Sequence, residues 1–114
     1  ISDEYYSDTK SKSFLRRGYS LNKIRYNLIK KGIDQKYIKA SISKIKENEA
    51  DPDFFSAIKI CKRRRIGPVR EEGNRPLFFK KDISILARSG FSYEISKRIL
   101  DMPKEEFKKF CKMI

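Results

Sequence analysis

Lys31-Gly32-Ile33-Asp34 and Ser89-Gly90-Phe91-Ser92 carry the same local instruction, 58 residues apart. A glycine supplies the left-handed residue that ends a helix. An Asp or Ser two positions later accepts from the orphan N–H groups of the next one. Gly18-Tyr19-Ser20 repeats the instruction near the start. Punctuation this dense cuts the chain into helices of three or four turns. Helices of that length are marginal alone and must bury apolar stripes against one another.

The stripes are present. Asp3 is expected to cap a first helix ending near Arg16-Arg17. Ser20 caps a second carrying Leu21, Ile24 and Leu28. Asp34 caps a third carrying Tyr37, Ile38, Ser41, Ile42 and Ile45. Asp51-Pro52 reads as a cap followed by proline in the first turn of a fourth helix, with Phe54, Phe55, Ile58 and Cys61 on its stripe. Ile83, Leu86 and Ala87 mark a fifth helix, Ile95, Ile99 and Leu100 a sixth that Met102-Pro103 breaks, and Phe107, Phe110 and Ile114 a short last one.

The prediction is an all-α protein of two tandem three-helix repeats. Residues 1–50 form the first unit and residues 51–114 the second, which ends in the short last helix. Leu28 stands four before Gly32, as Leu86 does before Gly90, and Ile42 and Leu100 each stand ten after. Gly18 and Gly32 are 14 apart and Gly67 and Gly90 are 23 apart, so the second unit carries nine extra residues, read as a loop insertion over 67–76. The expected core is Leu21, Ile24, Leu28, Ile38, Ile42, Ile45, Phe54, Ile58, Ile83, Leu86, Ile95 and Ile99. No strand pattern appears.

The insertion follows a run of cations, Lys62-Arg63-Arg64-Arg65. Cations in a last turn complement the helix dipole, and Arg16-Arg17 and Lys30-Lys31 obey that rule. Four in succession exceed it, because consecutive helical residues point in different directions and repel unless an anion is near. With 28 Lys and Arg against 15 Asp and Glu, a net charge of +13, the favoured partner is nucleic acid. The candidate contact residues are Arg16, Arg17, Lys62, Arg63, Arg64, Arg65, Arg70, Arg75, Lys80, Lys81 and Arg88. Glu71 and Glu72 interrupt the patch, open either to pairing with its arginines or to meeting a basic partner. Abundant Lys, Ile and Asn also fit the codon bias of an AT-rich genome, which leaves mere solubility as the plain alternative. Tyr19, Tyr26, Tyr93, Phe78 and Phe79 are open to base stacking or to core packing.

Chemistry at a catalytic centre is not expected. The chain has no His, its five glycines are too dispersed for a phosphate loop, and its carboxylates fall where caps and first turns want them. Neither a cofactor nor a metal is implied. Cys61 and Cys111 lie on apolar stripes and read as buried free thiols. No run approaches membrane-spanning length and no signal-like segment opens the chain, so we expect a soluble, cytoplasmic protein. The start at Ile1 suggests a piece of a longer one.

The segment FLRRGYSLNKIRYNLIKKGID resembles the repeat signature of the RecX family, regulators of the RecA recombinase. Its features are an arginine-rich helix end, a Ser cap, a Leu/Ile helix and a Lys-Gly-Ile-Asp turn. The lead-in ISDEYYSDTKSKSFLRRG is similar to the helix that opens that signature; Asp3 and Tyr6 match, and Ser7 stands where alanine is usual. The block CKRRRIGPVREEGNRPLFFKKDISILARSGFSYEISKRIL resembles the alphaproteobacterial branch. The resemblance runs from Ile1 to about Asp101. It implies a monomeric, elongated protein of tandem three-helix repeats, commonly three, so that an N-terminal repeat is missing here. It also implies binding to the RecA–single-stranded DNA filament, with inhibition of its ATPase, strand-exchange and co-protease activities, and a DNA-binding capacity of its own, on single and possibly double strands. A stand-alone basic helical DNA-binding protein, acting without a recombinase, is the alternative, and a protein–protein adaptor the third.

Overall fold

A computed structural model describes residues 3–114. Among these the chain is entirely helical. The helices are α1 (Asp3–Arg16), α2 (Leu21–Lys30), α3 (Gln35–Asn48), α4 (Pro52–Arg64), α5 (Phe79–Arg88), α6 (Tyr93–Leu100) and α7 (Lys104–Cys111), with a 3₁₀ turn at Gly67–Val69. The molecule is elongated, 51 × 25 × 20 Å. Two apolar clusters lie along its length. Leu21, Ile24, Leu28, Ile38, Ile42 and Ile45 make one, with Phe14, Leu15, Tyr19 and Ile33 packed on it. The larger is built on Phe54, Ile58, Cys61, Leu86, Ile99 and Leu100. This arrangement is consistent with tandem repeats.

The punctuation does what its chemistry requires. Ser20 and Ser92 accept from the N–H groups of Lys23 and Ile95, and Asp34 from that of Lys36. The N–H of Ile33 donates to the carbonyl of Leu28, and that of Phe91 to the carbonyl of Leu86, each at 3.1 Å. These are the closing bonds of a Schellman turn.

Four expectations are corrected. Gly67 does not stop α4; Arg65 does, in the left-handed region at φ 56°, with the Ile66 N–H closing onto the Cys61 carbonyl at 3.1 Å. Gly67 instead opens the 3₁₀ turn. Asp51 makes no side-chain cap bond and is itself left-handed at φ 50°. Its neighbour Asp53 reaches across to α2 and accepts from the Leu21 N–H at 2.8 Å, so one carboxylate serves the starts of two helices. Burial pushes the Asp53 carboxyl above its usual range, and that N–H pulls it back. Asp3 lies inside the first turn of α1 rather than before it. Finally, Ile83 and Ile95 are half-buried and Ala87 is exposed, because α5 packs mainly on α6 at the edge of the second cluster, and Cys111 is half-buried at the last residue of α7. The other ten core residues are buried, and Cys61 is enclosed fully enough to push its thiol up to about 12.

Ser7 is fully buried, and its hydroxyl lies 2.7 Å from that of Ser41. Ser41 donates to Asp8 at 2.6 Å, and Asp8 also accepts from Lys44 at 2.6 Å. Those bonds, the Lys44 one first, hold the Asp8 carboxyl below its usual range. The serine at the alanine position is thus absorbed by a polar chain joining α1 to α3.

The two halves meet where Ser20 donates to the Ser89 carbonyl at 2.7 Å. A Cβ on Gly90, at φ +92°, would lie 2.4 Å from the Ser20 hydroxyl, whereas a Cβ on Gly32, at φ +77°, meets nothing within 4 Å. Gly32→Ala should therefore cost only the left-handed strain, about 1–2 kcal/mol. Gly90→Ala should cost a further 1–3 kcal/mol, roughly, from overpacking. Urea denaturation of the two variants checks this; equal losses would mean that the joint at Gly90 yields freely.

Candidate functional site

Lys62, Arg63 and Arg64 occupy the last turn of α4 and Arg65 the residue beyond it, and all four are exposed. Arg63 turns back on the neighbouring helix end. Its Nη1 donates to the Arg17 carbonyl at 2.8 Å, satisfying a carbonyl that α1 leaves open. The bond draws the Arg16-Arg17 pair beside the α4 run, although 46 residues separate them in sequence. Lys59, one turn before Arg63, donates to the Leu15 carbonyl at 3.5 Å and joins the same junction. Lys59 was not among the sequence candidates; its i, i+4 spacing to Arg63 was the available signal.

Arg65 is the unusual member. A side chain in the left-handed conformation costs about 1–2 kcal/mol, which glycine avoids. At the equivalent turn after α1 the residue is Gly18, at φ 88°. The guanidinium of Arg65 thus occupies the position where the backbone most favours having no side chain.

Arg70 and Arg75 serve the fold. Arg70 grips buried Asp82 with Nε at 2.9 Å and Nη2 at 2.8 Å, and its guanidinium lies 4.2 Å from the centre of the Phe78 ring. Arg75 donates through Nη2 to the carbonyls of Leu100 (2.8 Å) and Met102 (2.6 Å), closing the end of α6. Glu72 stands 3.4 Å from Arg75, an exposed contact of little weight. The 67–76 insertion is therefore a clasp that ties the start of α5 to the end of α6. Asp82, its centre, stands in the first turn of α5, where an acid is ordinary at a surface.

Lys80 and Lys81 are exposed in the first turn of α5, where the helix dipole disfavours cations, so helix-end electrostatics does not explain them. Arg88 opens onto a separate cleft of about 340 Å³ with Asn22, Lys23, Tyr26 and Asn27. The exposed cations among the candidates are thus spread over several faces, and the α1 and α4 ends merge. Among the aromatics, Tyr19 stacks flat on Phe14 at 4.9 Å, Phe79 packs on the larger cluster, and Phe78 lies under Arg70. Tyr26 and Tyr93 are exposed. Among the described residues no group of His, Cys, Asp or Glu is arranged to hold a metal, and no helix is long and apolar enough to cross a membrane.

The chain is 30% identical over 103 residues to the regulatory protein RecX of Myxococcus xanthus, which covers 89% of this chain and 54% of that protein. It is 26% identical over 106 residues to the regulatory protein RecX of Agrobacterium fabrum, covering 93% of this chain and 54% of that protein. The chain therefore spans about half the length of the curated relatives it matches. No family model matches it, and no solved structure does.

Proposed function

Because the chain belongs to the RecX family, we propose that it is a non-enzymatic regulator that binds a RecA-type recombinase filament on single-stranded DNA and lowers its activities. The likeness to two RecX proteins over about nine-tenths of the chain carries this reading. Residues 1–50 and 51–114 act in it as two repeat units of one cytoplasmic monomer. The elongated form suits a protein laid along a filament. Arg16, Arg17, Lys62, Arg64 and Arg65 contact phosphates, with Arg63 holding the two helix ends together.

The test is DNA-dependent ATP hydrolysis by a RecA-type recombinase with the protein added. Hydrolysis should fall. Inhibition far below equimolar amounts means a block to filament growth, and inhibition near equimolar amounts means coating. Unchanged hydrolysis at every ratio, with a full-length relative active beside it, removes the reading. DNA binding that persists without any effect on the recombinase leaves the stand-alone DNA-binding protein.

The phosphate contacts have their own signature. Affinity for a single strand falls with salt by a slope of about 0.7 per contact. Arg64→Ala with Arg65→Gly should shrink that slope by about 1.4 if both touch phosphate, uniformly across sequences. Arg65→Gly should at the same time stabilise the fold by roughly 1 kcal/mol by relieving the left-handed strain. Weaker binding by a more stable protein separates a functional arginine from a structural one. An unchanged slope makes the cluster a solvated helix end.

A further inference from the structure

On the face formed by α4, the 3₁₀ turn and α7 lies a cleft of about 380 Å³. Its floor is apolar: half-buried Val69 and Cys111, with buried Pro68 and Phe107. Its rim carries Lys62 from α4, Lys104 and Lys108 from α7 and Lys112 at the C-cap of α7, and no carboxylate lines it. Lys104, Lys108 and Lys112 recur every fourth residue, so they run for about 12 Å along one edge. Like charges at that spacing destabilise a helix. Lys104 also stands in the first turn, the end at which the dipole disfavours a cation. Glu105 and Glu106 answer the dipole there but do not line the cleft. Among the described residues none of the four lysines forms an ion pair.

We propose that this cleft docks an acidic peptide segment of a partner protein, with an apolar side chain seated on Val69 and Cys111 and carboxylates along the lysine rim. An apolar anchor in a pocket ringed by complementary charge is the usual arrangement of a small protein interface. The length of the rim suits a run of several acids rather than one anionic group. A nucleic-acid strand would use the lysines but not the floor. Phe107 is buried and offers no face for a base, and the floor has no amide or hydroxyl to read a base edge. The proposal does not rest on the recombinase reading.

The probe is a short fluorescein-labelled peptide of Asp and Glu with a central Leu-Phe pair, titrated into the protein by fluorescence anisotropy. It should bind. Lys104→Glu, at a half-buried position, with Lys108→Glu, at an exposed one, should weaken it at least about tenfold while circular dichroism stays unchanged. Peptides with the acids changed to amides, or with Leu-Phe changed to Ser-Gly, should each lose binding. Bound peptide should also slow alkylation of Cys111, with Cys61 buried and silent. No binding, or binding indifferent to the Lys104 and Lys108 changes or to the Leu-Phe pair, overturns the proposal. If those lysine changes weaken an oligonucleotide and leave the peptide untouched, the cleft is a nucleic-acid surface and the proposal is equally wrong.

Discussion

Asp82→Ala should destabilise the protein by about 3–5 kcal/mol, the cost of breaking a buried ion pair by removing one partner. Asp82 is 1% exposed and accepts three hydrogen bonds, two from Arg70 and one at 2.9 Å from the Gly67 N–H. Without the carboxylate, the guanidinium keeps its place on Phe78 but has no counter-charge, and the Gly67 N–H is orphaned inside the fold. Arg70 is only 18% exposed at its side chain, so water replaces little of the loss. Pairing Asp82→Leu with Arg70→Met should recover part of it, since apolar replacements of a buried pair are often near neutral. Full recovery is not expected, because the unpaired N–H still costs about 1–3 kcal/mol. Chemical denaturation of the single and double variants measures this. A loss below about 1 kcal/mol for Asp82→Ala would mean that the clasp contributes little and that the 67–76 segment is held otherwise.

Leu28→Ala and Leu86→Ala should each cost about 2–5 kcal/mol. Both side chains are fully buried, each at the fourth position before its glycine. They belong to separate clusters, so the double variant should lose the sum to within about 0.5 kcal/mol. Amide exchange should rise mainly in residues 3–48 for Leu28→Ala and mainly in residues 52–111 for Leu86→Ala, as expected of neighbouring units that open in part independently. Strong coupling between the two sites would show that the joint at Ser20 and Gly90 makes one cooperative core of them.

The candidate site was legible only in part. That cations exceed what helix ends need is visible in Lys62 to Arg65 from composition and spacing alone. Which of them are spent on the fold is not. Arg63 bonds the Arg17 carbonyl, and Arg75 bonds those of Leu100 and Met102. Every residue has a carbonyl, so no residue type marks such an acceptor in advance. Arg70 differs, since its partner is a side chain. Even so, Asp82 carries no local sign of burial, and a first-turn helix acid is ordinary at the surface.

The sequence by itself determined the helices, their stops and most of their buried faces. Those depend on interactions within four or five residues: a serine or aspartate at a cap, a left-handed glycine, an apolar side chain every third or fourth position. The tertiary structure decided what those local rules leave open. Arg65, not Gly67, ends α4, because the Ile66 N–H can then close onto Cys61 while Gly67 gives its own N–H to Asp82. Asp53 bonds the start of α2, because packing sets the two helix starts side by side. The α1 and α4 ends merge into one basic surface, because packing between those helices brings Arg17 under Arg63. Each outcome turns on groups 15 to 46 residues apart or on a choice between two turns of nearly equal local merit. Such choices are settled by long-range packing and not by propensity.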